Sequence, residues 1–273
     1  MMNVIKFPGI GLEFNINRVL FSFGNVNIYW YGFLIVVAFI ISLILLKKVA
    51  KEKNIDYEKI LELFVLIVPI SIICARMYYI IFNLDYYLNN PKDIININSG
   101  GLAIYGGIIG GVISIYLYSK FAKINFKTII DMVVLVLPLG QAIGRWGNFF
   151  NVEAYGSITN SLLRMGIIED GTYIEVHPTF LYESIMCFGI FLILFIRRNK
   201  EKFSGENVCI YLCMYGFVRS IIESLRQDAL LFGNIKVSMV LSIILSIIFG
   251  SILLYKNVFK FKITKSKNKG TKI

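Results

Sequence analysis

Histidine is almost missing from this chain: His177 is the one copy in 273 residues. Asp131 is the only aspartate inside a predicted apolar span, so no aspartate cluster faces a membrane interior. Divalent-metal phosphotransferases need several carboxylate or imidazole ligands in one place, and neither a metal nor any other cofactor is expected here. The four cysteines, Cys74, Cys187, Cys209 and Cys213, form no CxxC pair and avoid the loops, which excludes a disulfide framework and leaves them as small core residues. No lysine lies deep in an apolar run, so a Schiff-base pump is excluded. The first residues lack a continuous apolar stretch and are broken at Phe7-Pro8-Gly9, so no cleavable signal peptide is expected, only a short interfacial piece that stays.

What is abundant is apolar residues. They make up 57% of the chain, with a mean hydropathy of +0.70, against roughly 45 to 50% in soluble domains. Seven segments, about 28-46, 60-82, 102-119, 128-148, 178-196, 208-225 and 237-255, are long enough to cross a ~30 Å hydrocarbon core. The fold class is therefore an all-α polytopic membrane protein. The net charge of +11 does not point to nucleic acid, because the cations follow the loops. Nineteen Lys and Arg residues fall in 47–59, 120–127, 197–202 and the tail from Lys256, against six in the opposite set of loops. By the positive-inside rule the N-terminus is outside and the C-terminus cytoplasmic, which an odd number of crossings permits. Residues 1–258 read as one integral membrane domain, with 151–177 as a small external cap between helices 4 and 5. Residues 259–273 read as a disordered basic tail near anionic lipid.

Charged side chains at membrane depth cost roughly 3 kcal/mol on insertion scales, so they persist only toward a protein interior or polar cavity. On the topology above, several lie in the outer half: Tyr31 in the first helix, Arg76 in the second, Arg145 and Asn148 at the end of the fourth, and His177 and Glu183 at the start of the fifth. In the sixth helix, Tyr215, Arg219, Glu223 and Arg226 follow spacings of four, four and three, one stripe that must face the bundle. The third helix opens with Tyr105 in a glycine-rich run that allows close backbone approach either between helices or to a ligand.

A guanidinium stays charged and grips phosphate through paired N–H donors, so Arg145 and Arg219 suit an anionic lipid headgroup. The alternative is that Arg219 pairs with Glu183 or Glu223 merely to hold helices together. His177 reads either as a general base or as a helix-start residue bonded to backbone. The loop between Asn83 and Ser99 reads either as a peptide-receiving segment or as a solvated connector. A transporter for an anionic solute would use the same arginines, but it predicts polar groups continuing to the cytoplasmic side. The inner halves of the fifth and seventh helices are instead nearly all apolar. A noncatalytic lipid-binding scaffold is the other rival.

The run Gly144-Arg145-Trp146-Gly147-Asn148-Phe149-Phe150-Asn151-Val152-Glu153-Ala154-Tyr155-Gly156 resembles the G-R-x-G-N-F-x-N-x-E-x-x-G signature of prolipoprotein diacylglyceryl transferases. The resemblance extends to Trp30-Tyr31-Gly32, Arg76 with Tyr78, the glycine-rich start of the third helix, His177 through Glu183, and Tyr215 through Arg219 with Glu223 and Arg226. It implies a multi-pass enzyme of the bacterial cytoplasmic membrane, with its site toward the outer leaflet. Such an enzyme transfers the diacylglyceryl group of phosphatidylglycerol to the thiol of a preprolipoprotein lipobox cysteine and releases glycerol phosphate. It also implies phosphatidylglycerol binding by Arg145, Arg219, Asn148, Tyr31, Tyr215 and Gly156. Arg145, Arg219, Glu153 and Tyr105 or His177 would serve in catalysis, with Glu183, Glu223 and Arg76 in support. No metal or nucleotide is implied. One position departs: where many members carry H-G-G-L-I-G, this chain has Tyr105-Gly106-Gly107-Ile108-Ile109-Gly110.

Overall fold

The computed structural model describes residues 2–24, 26–96, 100–227, 231–233 and 235–269, with residues 2, 3, 232 and 258–269 in backbone only. In chain order it contains strands β1 (Met2–Phe7), β2 (Leu12–Asn17), β3 (Val19–Phe23) and β4 (Val26–Tyr29), then helices α1 (Trp30–Glu52), α2 (Tyr57–Ile81), α3 (Leu84–Asn89), α4 (Ile104–Phe121) and α5 (Phe126–Asn151). Strands β5 (Met165–Glu169) and β6 (Thr172–Val176) lead to α6 (Thr179–Arg197) and α7 (Glu206–Leu225). Short strands β7 (Leu231–Phe232) and β8 (Ile235–Lys236) precede α8 (Val237–Lys269). Seven helices, all but α3, are long and apolar enough to cross a membrane. Five of them begin and end within about three residues of the expected spans, whereas α1 runs on to Glu52 and α8 to Lys269, six and fourteen residues past the expected ends, because a helix can continue beyond the apolar stretch that lipid requires.

The chain divides into two compact units, residues 1–42 with 134–273, and 43–133. In the first unit a four-stranded antiparallel sheet runs in the order β2-β1-β5-β6. The N-terminal segment has structure that the sequence reading did not anticipate: its first hairpin pairs with the cap hairpin through Lys6 opposite Gly166. Asp170 and Gly171, both at positive φ, make the two-residue turn between β5 and β6, the turn type whose twist suits a tight hairpin. Ile5, Phe7, Ile16, Met165, Ile167 and Val176 bury one face of this sheet against Phe149 at the end of α5 and Phe180 at the start of α6. The cap is thereby seated on the two helix ends that carry the signature run and the His177–Glu183 segment. α8 lies against α7, where a methyl on Gly216 would fall 2.6 Å from the Ser242 carbonyl oxygen and Ser246 Oγ donates to Cys213 O at 2.9 Å.

In the second unit α2 and α4 pack through glycine. A methyl on Gly106 would lie 2.4 Å from the Cys74 carbonyl oxygen, and one on Gly110 would lie 2.7 Å from Cys74 Cβ, so only hydrogen permits this approach. Leu63, Ile115, Tyr118 and Ile129 form its apolar core, and Tyr118 Oη donates to Glu62 at 2.6 Å. The loop after α2 contains α3 and a 3-10 turn, Pro91–Ile94. Part of the Asn83–Ser99 segment, 97–99, lies outside the described residues. The basic tail is helical in backbone through Lys269, and residues 270–273 lie outside the description.

Candidate active site

The signature run closes α5 with a defined C-terminal turn. Glu153 N donates to Asn148 O at 3.1 Å and Val152 N to Phe149 O at 3.2 Å, with Val152 left-handed at φ 54°, the hydrogen-bond pattern of a Schellman cap. A β-branched residue is strained in that region. The turn swings Glu153 back over α5, where its Oε1 accepts from Asn148 Nδ2 at 2.8 Å and from Asn151 Nδ2 at 3.3 Å. Gly147 lies on the same helix end; a methyl there would lie 2.4 Å from the ring of Tyr31, so this glycine lets the tyrosine approach α5 closely.

From Asn148 the polar chain runs across three helices. Arg145 Nη1 donates to Asn148 Oδ1 at 3.2 Å, and Arg145 Nη2 to Glu183 Oε1 at 2.8 Å. The other Glu183 oxygen accepts from Arg219 Nη1 at 3.1 Å, and Tyr215 Oη donates to Oε1 at 3.1 Å. Arg219 Nη2 closes an ion pair with Glu223 Oε2 at 2.5 Å, one helical turn along α7. α6 is pinned beside α5 by Ser184 Oγ, which donates to Ala142 O at 2.8 Å. On the side away from Arg219, Tyr215 stacks on Tyr211 at 5.5 Å, and Tyr211 hydrogen-bonds Gln141.

The exposure pattern has a direction. The carboxylate side chains of Glu183 and Glu223 are 2% exposed, whereas those of Arg145 and Arg219 are 23% and 17% exposed. Two charges of each sign compensate one another, which is what a low-dielectric setting requires. The described hydrogen bonds use two N–H groups of Arg145 and one of Arg219, whose second contact is the ion pair with Glu223, out of the five N–H groups that an arginine carries. The cations therefore remain partly accessible while the anions are sealed. Such a site can bind a further anion.

Gly156 and His177 sit at the cap's base. Gly156 N donates to His177 O at 2.9 Å and His177 N to Ser157 O at 3.0 Å, so His177 is held by strand-like backbone pairing. Its ring lies 3.4 Å, Nδ1 to Oη, from Tyr182. A methyl on Gly156 would meet His177 Cβ at 2.7 Å and Leu225 O at 2.9 Å, so the position has room only for glycine. Arg76 and Tyr105 belong to the second unit. The buried Arg76 guanidinium donates to the carbonyls of Asp93, Ile94, Asn96, Gly100 and Gly101, at 2.5 to 3.0 Å, and lies over the Tyr87 ring. It holds the segment leading into α4, whose second residue, Tyr105, has its ring 6.5 Å from that of Tyr78. Among the described residues no three His, Cys, Asp or Glu side chains come together as a metal site.

The family profile described as prolipoprotein diacylglyceryl transferase matches residues 18–255. The chain belongs to the prolipoprotein diacylglyceryl transferase family. It is 44% identical over 228 residues to the phosphatidylglycerol–prolipoprotein diacylglyceryl transferase of Clostridioides difficile (strain 630), covering 84% of this chain and 90% of that protein. The enzyme of the same name from Finegoldia magna is 45% identical over 254 residues, covering 93% and 100%. That from Clostridium novyi is 43% identical over 256 residues, covering 91% and 98%. With its seven apolar helices, this member of the transferase family is a multi-pass membrane protein.

Sequence reasoning assigned Glu183 only a supporting part, yet both arginines converge on it. The signal was present: a carboxylate inside an apolar run demands a cation.

Proposed function

We propose that this protein transfers the diacylglyceryl group of phosphatidylglycerol to the thiol of a lipobox cysteine in preprolipoproteins and releases glycerol phosphate. The observation that carries this reading is the pair Arg145 and Arg219, converging on the two oxygens of a buried Glu183 while both arginines stay partly exposed. In this arrangement the guanidiniums hold the lipid phosphodiester. The cysteine sulfur attacks the glyceryl carbon esterified to phosphate; the S–C bond forms as the C–O bond breaks, and the bridging oxygen leaves with glycerol phosphate. Charge growing on that leaving group is met by cations already in place. A thiol with a pKa of about 8.5 ionises more readily near such cations. Tyr105 or His177 assists its deprotonation, while Asn148, Glu153, Tyr31, Tyr215 and Gly156 shape the lipid site.

The site faces the outer leaflet of the bacterial cytoplasmic membrane, with the cap outside and the Lys-rich loops inside, in accord with the distribution of basic residues. A transport pathway is disfavoured by Ile190, Phe191 and Leu194, which bury apolar side chains on α6 about 10 to 16 Å inward of Glu183. The test is incubation of the purified protein with phosphatidylglycerol labelled in its acyl chains and a lipobox peptide. Label is expected on the cysteine peptide and not on its Cys→Ser counterpart; equal labelling of both, or of neither, contradicts the assignment.

A further inference from the structure

The end of α7 is held in an unusual way. A helix terminus leaves its last carbonyls without intrahelical partners, and in an apolar setting each must be satisfied from elsewhere. Here four consecutive carbonyls are taken. Lys236 Nζ donates to Glu223 O at 2.9 Å, Ser224 O at 3.2 Å and Arg226 O at 2.6 Å, and Ser157 N donates to Leu225 O at 2.7 Å. All three ammonium donors of Lys236 are thus spent on the negative end of one helix, where a cation is favoured. The fourth carbonyl is closed by the cap backbone beside Gly156, which also bridges to Arg226.

We infer that Lys236 is a positioning residue for the transfer reaction, clamping the last turn of α7 so that Glu223 fixes the guanidinium of Arg219 in its working orientation. The Glu223 carbonyl accepts from this clamp, and its side chain forms the ion pair with Arg219 at 2.5 Å. Release of the terminal turn would therefore move the carboxylate that orients the arginine. The inference rests on the diacylglyceryl transfer reading for its catalytic consequence but not for the clamp itself. The hydrophobic strand that delivers Lys236, β8, has no other charged side chain. Its lysine is spent on backbone rather than on lipid phosphate.

The experiment compares wild type, Lys236→Met and Lys236→Arg in phosphatidylglycerol vesicles with a lipobox peptide, with rates normalised to folded protein. Amide hydrogen exchange over residues 219–227 is measured on the same samples. Lys236→Met is expected to lower the saturated rate tenfold or more, to change the peptide KM less than threefold, and to speed exchange in this segment at least tenfold. Lys236→Arg, which keeps the charge and several donors, is expected to stay within threefold of wild type. An unchanged rate per folded molecule, or unchanged exchange, overturns the inference. If wild type itself transfers nothing, the functional reading fails while the exchange data still decide the clamp. If Lys236→Met does not accumulate, exchange in wild type decides alone: protection no better than that of a frayed helix end overturns it.

Discussion

Arg145 and Arg219 divide one carboxylate between them, the first on Oε1 of Glu183 at 2.8 Å and the second on Oε2 at 3.1 Å. Held apart by that anion, two guanidiniums from α5 and α7 can sit side by side in an apolar interior. Removing the charge by Glu183→Gln leaves two cations facing each other with one carboxylate, Glu223, still paired. Breaking a buried pair costs about 3 to 5 kcal/mol. The expected outcome is a transfer rate reduced by about two orders of magnitude or more and a clearly lower melting temperature in detergent, read by activity assay and thermal unfolding.

Arg145→Lys keeps the charge and loses the planar fork that reaches Asn148 and Glu183 together. The variant is expected to fold and to retain less than about one hundredth of the wild-type rate, an effect of roughly 3 kcal/mol on the scale set by other oriented charge donors. Near-normal activity would mean that positive charge alone suffices and would contradict the part given to the fork.

Gly156→Ala tests the cap's seating. The added carbon would press on His177 Cβ at 2.7 Å and on Leu225 O at 2.9 Å, and one of those is backbone at the end of α7. A destabilisation of about 1 to 3 kcal/mol, typical of overpacking, is expected. The melting temperature should fall and activity with it; an unshifted melting curve would mean that the cap yields freely.

Tyr105 is one of the two groups proposed to assist the thiol. If its hydroxyl positions or relays the thiol proton, Tyr105→Phe lowers the rate about tenfold or more near pH 7, on the low side of what general acid–base groups contribute. Rates measured from pH 6 to 9 are expected to converge on wild type at the alkaline end, where the peptide thiol ionises unaided. A full rate at pH 7 would leave His177 as the assisting group.

The seven spans were legible because hydropathy alone decides what enters lipid, and the glycines at 106 and 110 announced a close helix contact that the structure contains. Arg145, Asn148, Arg219 and Glu223 were legible for the complementary reason, since each is too polar for its surroundings. The β1–β2 hairpin was not. Its residues alternate weakly, and the strand it joins lies about 160 positions away, so nothing local marks the pairing of Lys6 with Gly166. Lys236 was equally hidden: read as one more loop cation, it spends its charge on the carbonyls of Glu223, Ser224 and Arg226.

The central claim, that a phosphodiester held by Arg145 and Arg219 is cleaved at its glyceryl C–O bond by a thiol, is tested most directly by one doubly labelled reaction. Phosphatidylglycerol carrying separate isotopes in its acyl chains and its glycerol headgroup is mixed with the purified protein and a cysteine lipobox peptide, and both products are counted in the same sample. One glycerol phosphate released for each lipidated peptide is the expected result. Headgroup label retained on the peptide, or headgroup release with no lipidated product, would contradict it.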